Sequence, residues 1–296
     1  MTTEDGSQSI RDDETGELHH NRAGAYTEAL VNYIQPSGVM SARADELHVL
    51  DVCFGAGYNT FTLMSELCRE ETARYQKVVI TAIEASLDVL AHVEQILAFE
   101  KFKEVATRLN VSTWLAECRK ANNETSKLRA NQQRFHLKNG CDAELKLFVA
   151  DVRLAVPHLA KNEEFDIVFH DPFSPKRMPE LWTIDLFLCY RKMLERRRGK
   201  VLTYSAASAV RGGLREARFT VGRSTALGGK SGGTVGSIGD SAASNEFVFP
   251  LSEEELTKCR SASGIPYRDE TFESSREEIQ SRRRVEQLDF NAQARL

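Results

Sequence analysis

The sequence predicts an α/β fold, a mostly parallel sheet with helices on both faces and an antiparallel edge strand. Short apolar runs of strand length alternate with stretches whose apolar residues recur at helical spacing, and a glycine turn joins the first strand to the first helix. Several of those strands end in an acid. In chain order, strands are expected at residues 47–51, 77–84, 144–151, 165–170 and 199–205, with a last short strand at 246–249 pairing antiparallel at the edge. Residues 58–69 form the first helix by the spacing of their apolar positions. Leu87, Leu90, Val93, Leu97 and Phe102 recur every three or four residues and mark the helical stretch after the second strand.

Between the second and third strands, residues 112–142 are rich in Lys, Arg, Asn and Gln around an isolated Trp114, which suggests a helical insertion with a mobile tip. Residues 222–244 are rich in Gly and Ser without apolar periodicity, so a loop is expected there, either a lid or a solvated hairpin. The expected organisation is an N-terminal extension over 1–45 packing on a core domain over 46–250. That core carries the insertion at about 100–142, and a charged helical tail follows over 251–296.

Composition narrows the function classes. The 296 residues, 41% hydrophobic and 28% charged, are enough for one large α/β domain. No run approaches the roughly 20 apolar residues that cross a bilayer, and residues 1–21 are polar and acidic, so a cytoplasmic protein without membrane contact is expected. The six cysteines show no C-x-x-C spacing, which speaks against a metal site and for reduced structural thiols. A formal net charge of −4 leaves any polyanion contact to a local patch. A monomer or weak dimer is expected.

The first candidate site is the turn Val52-Cys53-Phe54-Gly55-Ala56-Gly57. Gly55 and Gly57 lack a Cβ and tolerate positive φ, so backbone there approaches a ligand closely, at the strand edge where open α/β sheets bind. Asn59 and Thr60 stand where a dinucleotide fold places its third glycine. A pyrophosphate needs that helix N-terminus clear, and the sulfonium amino acid of S-adenosylmethionine does not. Glu84 is placed to accept from the ribose hydroxyls of an adenosine, and Asp151 from an adenine amino group. With Asp51 they make three acids at successive strand ends. The full set of cofactor candidates is Asp51, Phe54, Gly55, Gly57, Asn59, Glu84, Asp151 and Val152. An ordinary strand-to-helix turn and helix-capping acids are the plain alternatives.

The second candidate site is Asp171-Pro172-Phe173-Ser174-Pro175-Lys176, after the fourth strand. An acid at a strand end, stiffened by proline and followed by an aromatic, suits amine methylation. The enzyme must mainly align a nitrogen lone pair and exclude water. Asp171 accepts from the amine and Phe173 offers a face for a stacked base. His170, alternating with Val168, reads as packing rather than as a base. Lys176 and Arg177 are candidate substrate contacts to phosphate. The run Arg191, Lys192, Arg196, Arg197, Arg198 and Lys200 is either an RNA contact or a solvated face.

These residues resemble the methyltransferase domain of the bacterial tRNA wobble-uridine modification enzyme MnmC, in a stand-alone form. The resemblance rests on Asp5-Gly6-Ser7 with Gly24-Ala25-Tyr26-Thr27-Glu28-Ala29, on Cys53-Phe54-Gly55-Ala56-Gly57-Tyr58-Asn59-Thr60, and on the Asp171 to Lys176 motif with Pro179-Glu180-Leu181-Trp182. It implies a class I, Rossmann-like S-adenosylmethionine-dependent methyltransferase. The substrate implied is the 5-aminomethyl group of a wobble uridine or 2-thiouridine in the anticodon region of tRNA, with Asp171 as the catalytic aspartate beside Pro172 and Phe173. Bifunctional relatives carry a flavin-dependent oxidase domain, for which this chain has neither a second glycine fingerprint nor the length. Two other readings share these features: transfer of a methyl or alkyl group to a small amine, and a non-catalytic module that binds an adenosyl group or RNA.

Overall fold

The computed structural model describes residues 3–8, 24–122, 128, 130–227, 232–239 and 245–294. Two compact units emerge from its backbone contacts, Met1–Asp151 with Leu227–Gly229, and Val152–Ala226 with Lys230–Leu296.

In the first unit the strands are β1 (Ala44–Val52), β2 (Tyr75–Glu84), β3 (Ala130–His136) and β4 (Asp142–Val149). β2 pairs in parallel with β1, Val49 facing Ile80, and with β4, Ile80 facing Leu145; β3 runs antiparallel along β4. Val49, Leu50, Val52, Val78, Ile80, Ala82, Ile83, Leu145 and Leu147 are fully buried. Apolar residues on both faces of a strand are what a covered parallel sheet requires. Its helices include α1 (Ala25–Ala29), α2 (Tyr58–Arg69) and α3 (Val111–Asn122), and the helical stretch expected after the second strand is broken into the short helices Leu87–Leu90, Val93–Leu97 and Lys103–Ala106. Phe54 stands edge-to-face to Phe61 of α2 and to Trp114 of α3, and the Phe102 ring lies tilted against Phe61.

The polar stretch read as a helical insertion is a helix only as far as Asn122 and then returns as β3. Asn131, Gln132, Gln133 and Arg134 look helical by composition. They alternate between half-buried and exposed along the outermost strand of this unit, where polar side chains face water. Residues 123–127 and 129, the expected tip, lie outside the described residues.

At the N-terminus Asp5 reaches the first turn of α1. Its carboxylate accepts from the Thr27 N–H at 2.9 Å, the Thr27 hydroxyl at 2.8 Å, the Ser7 N–H at 2.9 Å and the Thr3 hydroxyl at 2.9 Å. A negative charge there satisfies an amide that no helical carbonyl can reach. Burial works to raise its pKa, and the hydrogen bonds from Ser7 and Thr27 overcome that and hold it at about 2. The segment also closes onto Tyr58, whose hydroxyl donates to the Gln8 carbonyl at 2.6 Å and accepts the Gln8 N–H at 2.9 Å.

In the second unit β5 (Ile167–His170) and β6 (Lys200–Thr203) are parallel. β7 (Thr220–Ser224), β8 (Thr234–Ser237) and β9 (Val248–Pro250) are antiparallel to their neighbours, in the order β6-β8-β7-β9. The helices are α4 (Val152–Leu159), α5 (Ile184–Leu194), α6 (Ser208–Glu216), α7 (Glu253–Cys259) and α8 (Arg276–Gln293).

The antiparallel edge strand expected near 246–249 is present as β9, and the loop expected over 222–244 contains most of β7 and all of β8. Glycine serves close strand approach there rather than flexibility. A Cβ on Gly232 would lie 1.8 Å from the Ser224 carbonyl oxygen, and one on Gly233 2.3 Å from that of Thr203. Residues 228–231 and 240–244 of that stretch lie outside the described residues. In the charged tail, Ser252 with Glu255 and Ser275 with Glu278 form capping boxes that start α7 and α8.

All six cysteines are free thiols. Among the described residues no helix is long and apolar enough to cross a membrane, and no cluster of three or more His, Cys, Asp and Glu could hold a metal ion.

Candidate active site

Beyond β1 the backbone turns through left-handed conformations at Cys53 (φ 62°), Gly55 (φ 58°) and Gly57 (φ 92°), and Gly57 becomes the N-cap of α2. Only glycine fits at 57: a Cβ would stand 2.4 Å from the Phe61 ring and 2.6 Å from that of Phe54. At Gly55 a Cβ would meet nothing nearer than 4.0 Å, so the space beside that backbone is open.

The predicted residues of this turn divide into two groups. Phe54 is buried against Phe61 and Trp114, Asn59 is buried in the first turn of α2, and Asp51 is wholly buried with its Oδ2 accepting the Thr60 hydroxyl at 2.6 Å. These side chains tie β1, the turn and α2 to one another. Glu84, by contrast, closes on the turn from the end of β2. Its Oε2 accepts the Gly55 N–H at 2.8 Å and its Oε1 the Ser86 N–H at 2.8 Å. Burial raises its pKa, against the lowering effect of those amides. Asp151 follows β4 and is half-exposed. Since Asp51 faces Ala82 and Glu84 faces Val149, the three acids are staggered by two residues from strand to strand. Val152, the first residue of α4 in the second unit, is buried.

The second predicted group follows β5. His170 is fully buried, 3.0 Å from the Tyr190 hydroxyl through Nδ1 and edge-on to Trp182 with ring centroids 4.6 Å apart. Burial drives its pKa down to about 3, so the imidazole is neutral at physiological pH and far too weak a base to hold a proton there. This agrees with the packing reading.

Asp171 is half-exposed, and the loop beyond it is pinned by its carbonyls. The Tyr204 hydroxyl donates to the Pro172 oxygen at 2.9 Å, and the Trp182 indole N–H to the Phe173 oxygen at 2.7 Å. The Ser174 oxygen accepts the N–H groups of Arg177 and Met178 at 2.8 and 2.9 Å. The Arg177 guanidinium lies over the Phe173 ring, 4.1 Å from its centroid, and Lys176 is exposed. Tyr204 had no motif to announce it; its donation to Pro172 crosses 32 positions of sequence.

The basic run is largely consumed within the chain. Arg191 pairs with Glu195 and donates to the Arg218 carbonyl, Arg196 pairs with Glu164 at 3.0 Å, and Arg197 with Asp166 at 3.1 Å. Burial lowers the pKa of Lys200.

The glycine turn is thus tied to the acid of the next strand, and an acid-proline-aromatic loop follows a later strand. A family model described as S-adenosyl-L-methionine-dependent methyltransferase matches residues 114–238. The protein is an α/β, Rossmann-like methyltransferase that uses S-adenosylmethionine.

Within that class it is MnmC-like. The crystal structure of MnmC2 from Aquifex aeolicus matches with a TM-score of 0.71 at 28% identity, covering 94% of this chain and 80% of that one. An uncharacterised protein of Methanocaldococcus jannaschii is 26% identical over 282 residues, 94% of this chain and 69% of its own length. The tRNA 5-methylaminomethyl-2-thiouridine biosynthesis bifunctional protein MnmC of Vibrio vulnificus is 36% identical over 99 residues, 33% of this chain. That alignment spans only 14% of the bifunctional protein.

The first unit fits an adenosyl group in two respects. The backbone at Gly55 faces open space, and the Glu84 carboxylate, while accepting the Gly55 and Ser86 amides, retains acceptor capacity for a hydroxyl.

Proposed function

We propose that this methyltransferase acts on the primary amine of a 5-aminomethyl group on the wobble uridine, or 2-thiouridine, of tRNA and converts it to the 5-methylaminomethyl form. The observation that carries the proposal is the Asp171-Pro172-Phe173 loop with two of its carbonyls pinned by Tyr204 and Trp182. The similarity to MnmC2 over most of the chain supports it.

When bound, S-adenosylmethionine supplies a methyl group already activated on a sulfonium. In this reading Gly55 and Gly57 would admit the donor to the turn, Glu84 would accept from its ribose hydroxyls and Asp151 from its adenine amino group. Asp51, Phe54 and Asn59 keep the turn in shape. Asp171 would accept a hydrogen bond from the amine and orient the nitrogen lone pair, and its carboxylate would take up the amine proton as the N–C bond forms and the sulfonium S–C bond breaks, leaving the thioether. Phe173 stacks on the extruded base with Arg177 covering its other face. Lys176 meets backbone phosphate as an exposed cation.

The test is incubation of the purified protein with S-adenosylmethionine and tRNA carrying 5-aminomethyluridine, followed by nucleoside analysis. The expected product is 5-methylaminomethyluridine. Methylation of free polyamines with no modified nucleoside would replace this substrate by a small amine.

A further inference from the structure

We infer that Arg276, on the C-terminal helix α8, is a positioning residue for the acceptor loop. The inference rests on the functional reading above, which puts Asp171 and Phe173 in that loop. Three observations carry it.

The first is Glu180, in the short helical turn Pro179–Leu181. It is only 6% exposed, its Oε1 accepts from Arg276 Nε at 2.8 Å, and its buried Oε2 has no hydrogen-bond partner among the described residues. Among the described residues this carboxylate, so withdrawn from water, is paired with this one cation; without it the turn must move to rehydrate the charge or the carboxyl must take up a proton.

The second is the path from Glu180 to the reacting residues. The turn closes through Leu181 N–H to the Met178 carbonyl at 3.1 Å and Trp182 N–H to the Pro179 carbonyl at 3.0 Å. Trp182, two residues beyond Glu180, donates to the Phe173 carbonyl. Displacing the turn therefore displaces the group that fixes Phe173 and, through it, the neighbouring Pro172 and Asp171.

The third is that α8 is itself anchored where it meets the loop. Ser275 and Glu278 cap it, the Gln280 side chain donates to the Lys176 carbonyl at 3.4 Å, and Ile279 is fully buried. Just before the helix, the Ser274 N–H donates to Asp269 at 3.0 Å, the Asp269 N–H to Asp185 at 2.6 Å, and the Ile184 N–H to the Tyr267 carbonyl at 2.9 Å. The clamp thus has a fixed base. Arg276 lies beyond residues 114–238, the span matched by the family model.

Arg276 touches neither donor nor acceptor in this scheme; it acts through Glu180. The experiment compares Arg276→Met and Arg276→Lys with the unsubstituted full chain in three readouts: amide hydrogen exchange, S-adenosylmethionine binding by calorimetry, and methyl transfer to tRNA. Arg276→Met is expected to speed exchange at residues 178–182 by about tenfold or more while residues 53–60 are unchanged, since loss of the pair opens one local segment. S-adenosylmethionine affinity stays within about twofold, and kcat falls about tenfold or more with a smaller change in acceptor KM, the signature of lost orientation. Arg276→Lys, which keeps the cation, recovers most of both effects.

Unchanged exchange at 178–182 in Arg276→Met overturns the inference, as does acceleration spread evenly over both units. Local acceleration with undiminished kcat overturns the link to catalysis. If the unsubstituted protein modifies no tRNA, the functional reading fails, and the exchange result still decides whether Arg276 holds the turn.

Discussion

The turn after β1 and the loop after β5 both leave a strand end and both carry a candidate acid, yet they are held in shape by different means. The turn is held by conformational necessity: three left-handed residues, a glycine at 57 that no side chain could replace, and a carboxylate receiving the Gly55 amide. The loop has no left-handed residue. It is held by distant donors, Tyr204 on Pro172 and Trp182 on Phe173, and by prolines that limit its backbone. A region built from local backbone constraint fails when one residue gains a Cβ. A region built from long-range hydrogen bonds loses orientation by degrees.

The comparison breaks most sharply at Asp171. Asp171→Asn keeps shape and removes the proton acceptor, so kcat should fall by about 10²–10⁴ while calorimetric S-adenosylmethionine affinity holds. An equal loss of cofactor binding would mean that the residue serves the turn instead.

At Gly57 the expected pattern is the reverse, in that folding and cofactor affinity fall together. Gly57→Ala forces a Cβ into Phe61 and Phe54 at positive φ and should cost roughly 2–4 kcal/mol in urea unfolding. Trp182→Phe keeps an aromatic ring against His170, deletes one donor and leaves part of a fully buried site empty, costing about 1–3 kcal/mol of stability. About tenfold in kcat should go with it, because the Phe173 carbonyl is no longer fixed.

The smallest effect belongs to Asp5. Its folded-state pKa of about 2 lies below the ordinary 3.8, so its contribution is complete above pH 3.8 and fades as the pH falls toward 2. Acid titration of unfolding should therefore show a shallower loss across that window in Asp5→Asn than in the unsubstituted protein.

What the sequence disclosed follows the same division. The glycine turn and the loop after Asp171 are legible as shapes because each has a local pattern, a strand then a glycine or an acid then a proline. The parallel strands were legible as apolar runs. β3 was not, since its alternating half-buried and exposed positions over 131–134 are all filled by polar residues, Gln132, Gln133 and Arg134 among them, which leave no apolar periodicity to read. β8 was hidden by Gly232 and Gly233, which read as loop and in fact let backbones touch. Tyr204 and Arg276 were out of reach because their partners lie 32 and 96 positions away, where no spacing rule operates. The Ser-x-x-Glu caps at 252–255 and 275–278 were visible and would have placed both tail helices.

The two amide bonds to Glu84 make that side chain a latch as well as an acceptor. Because one oxygen holds Gly55 and the other Ser86, the carboxylate cannot swing without loosening the backbone on which the open space at Gly55 depends. A shorter Glu84→Asp side chain would be one methylene short of the same reach. Part of the turn's preorganisation thus rests on a single rotamer, beside the left-handed backbone at Cys53, Gly55 and Gly57.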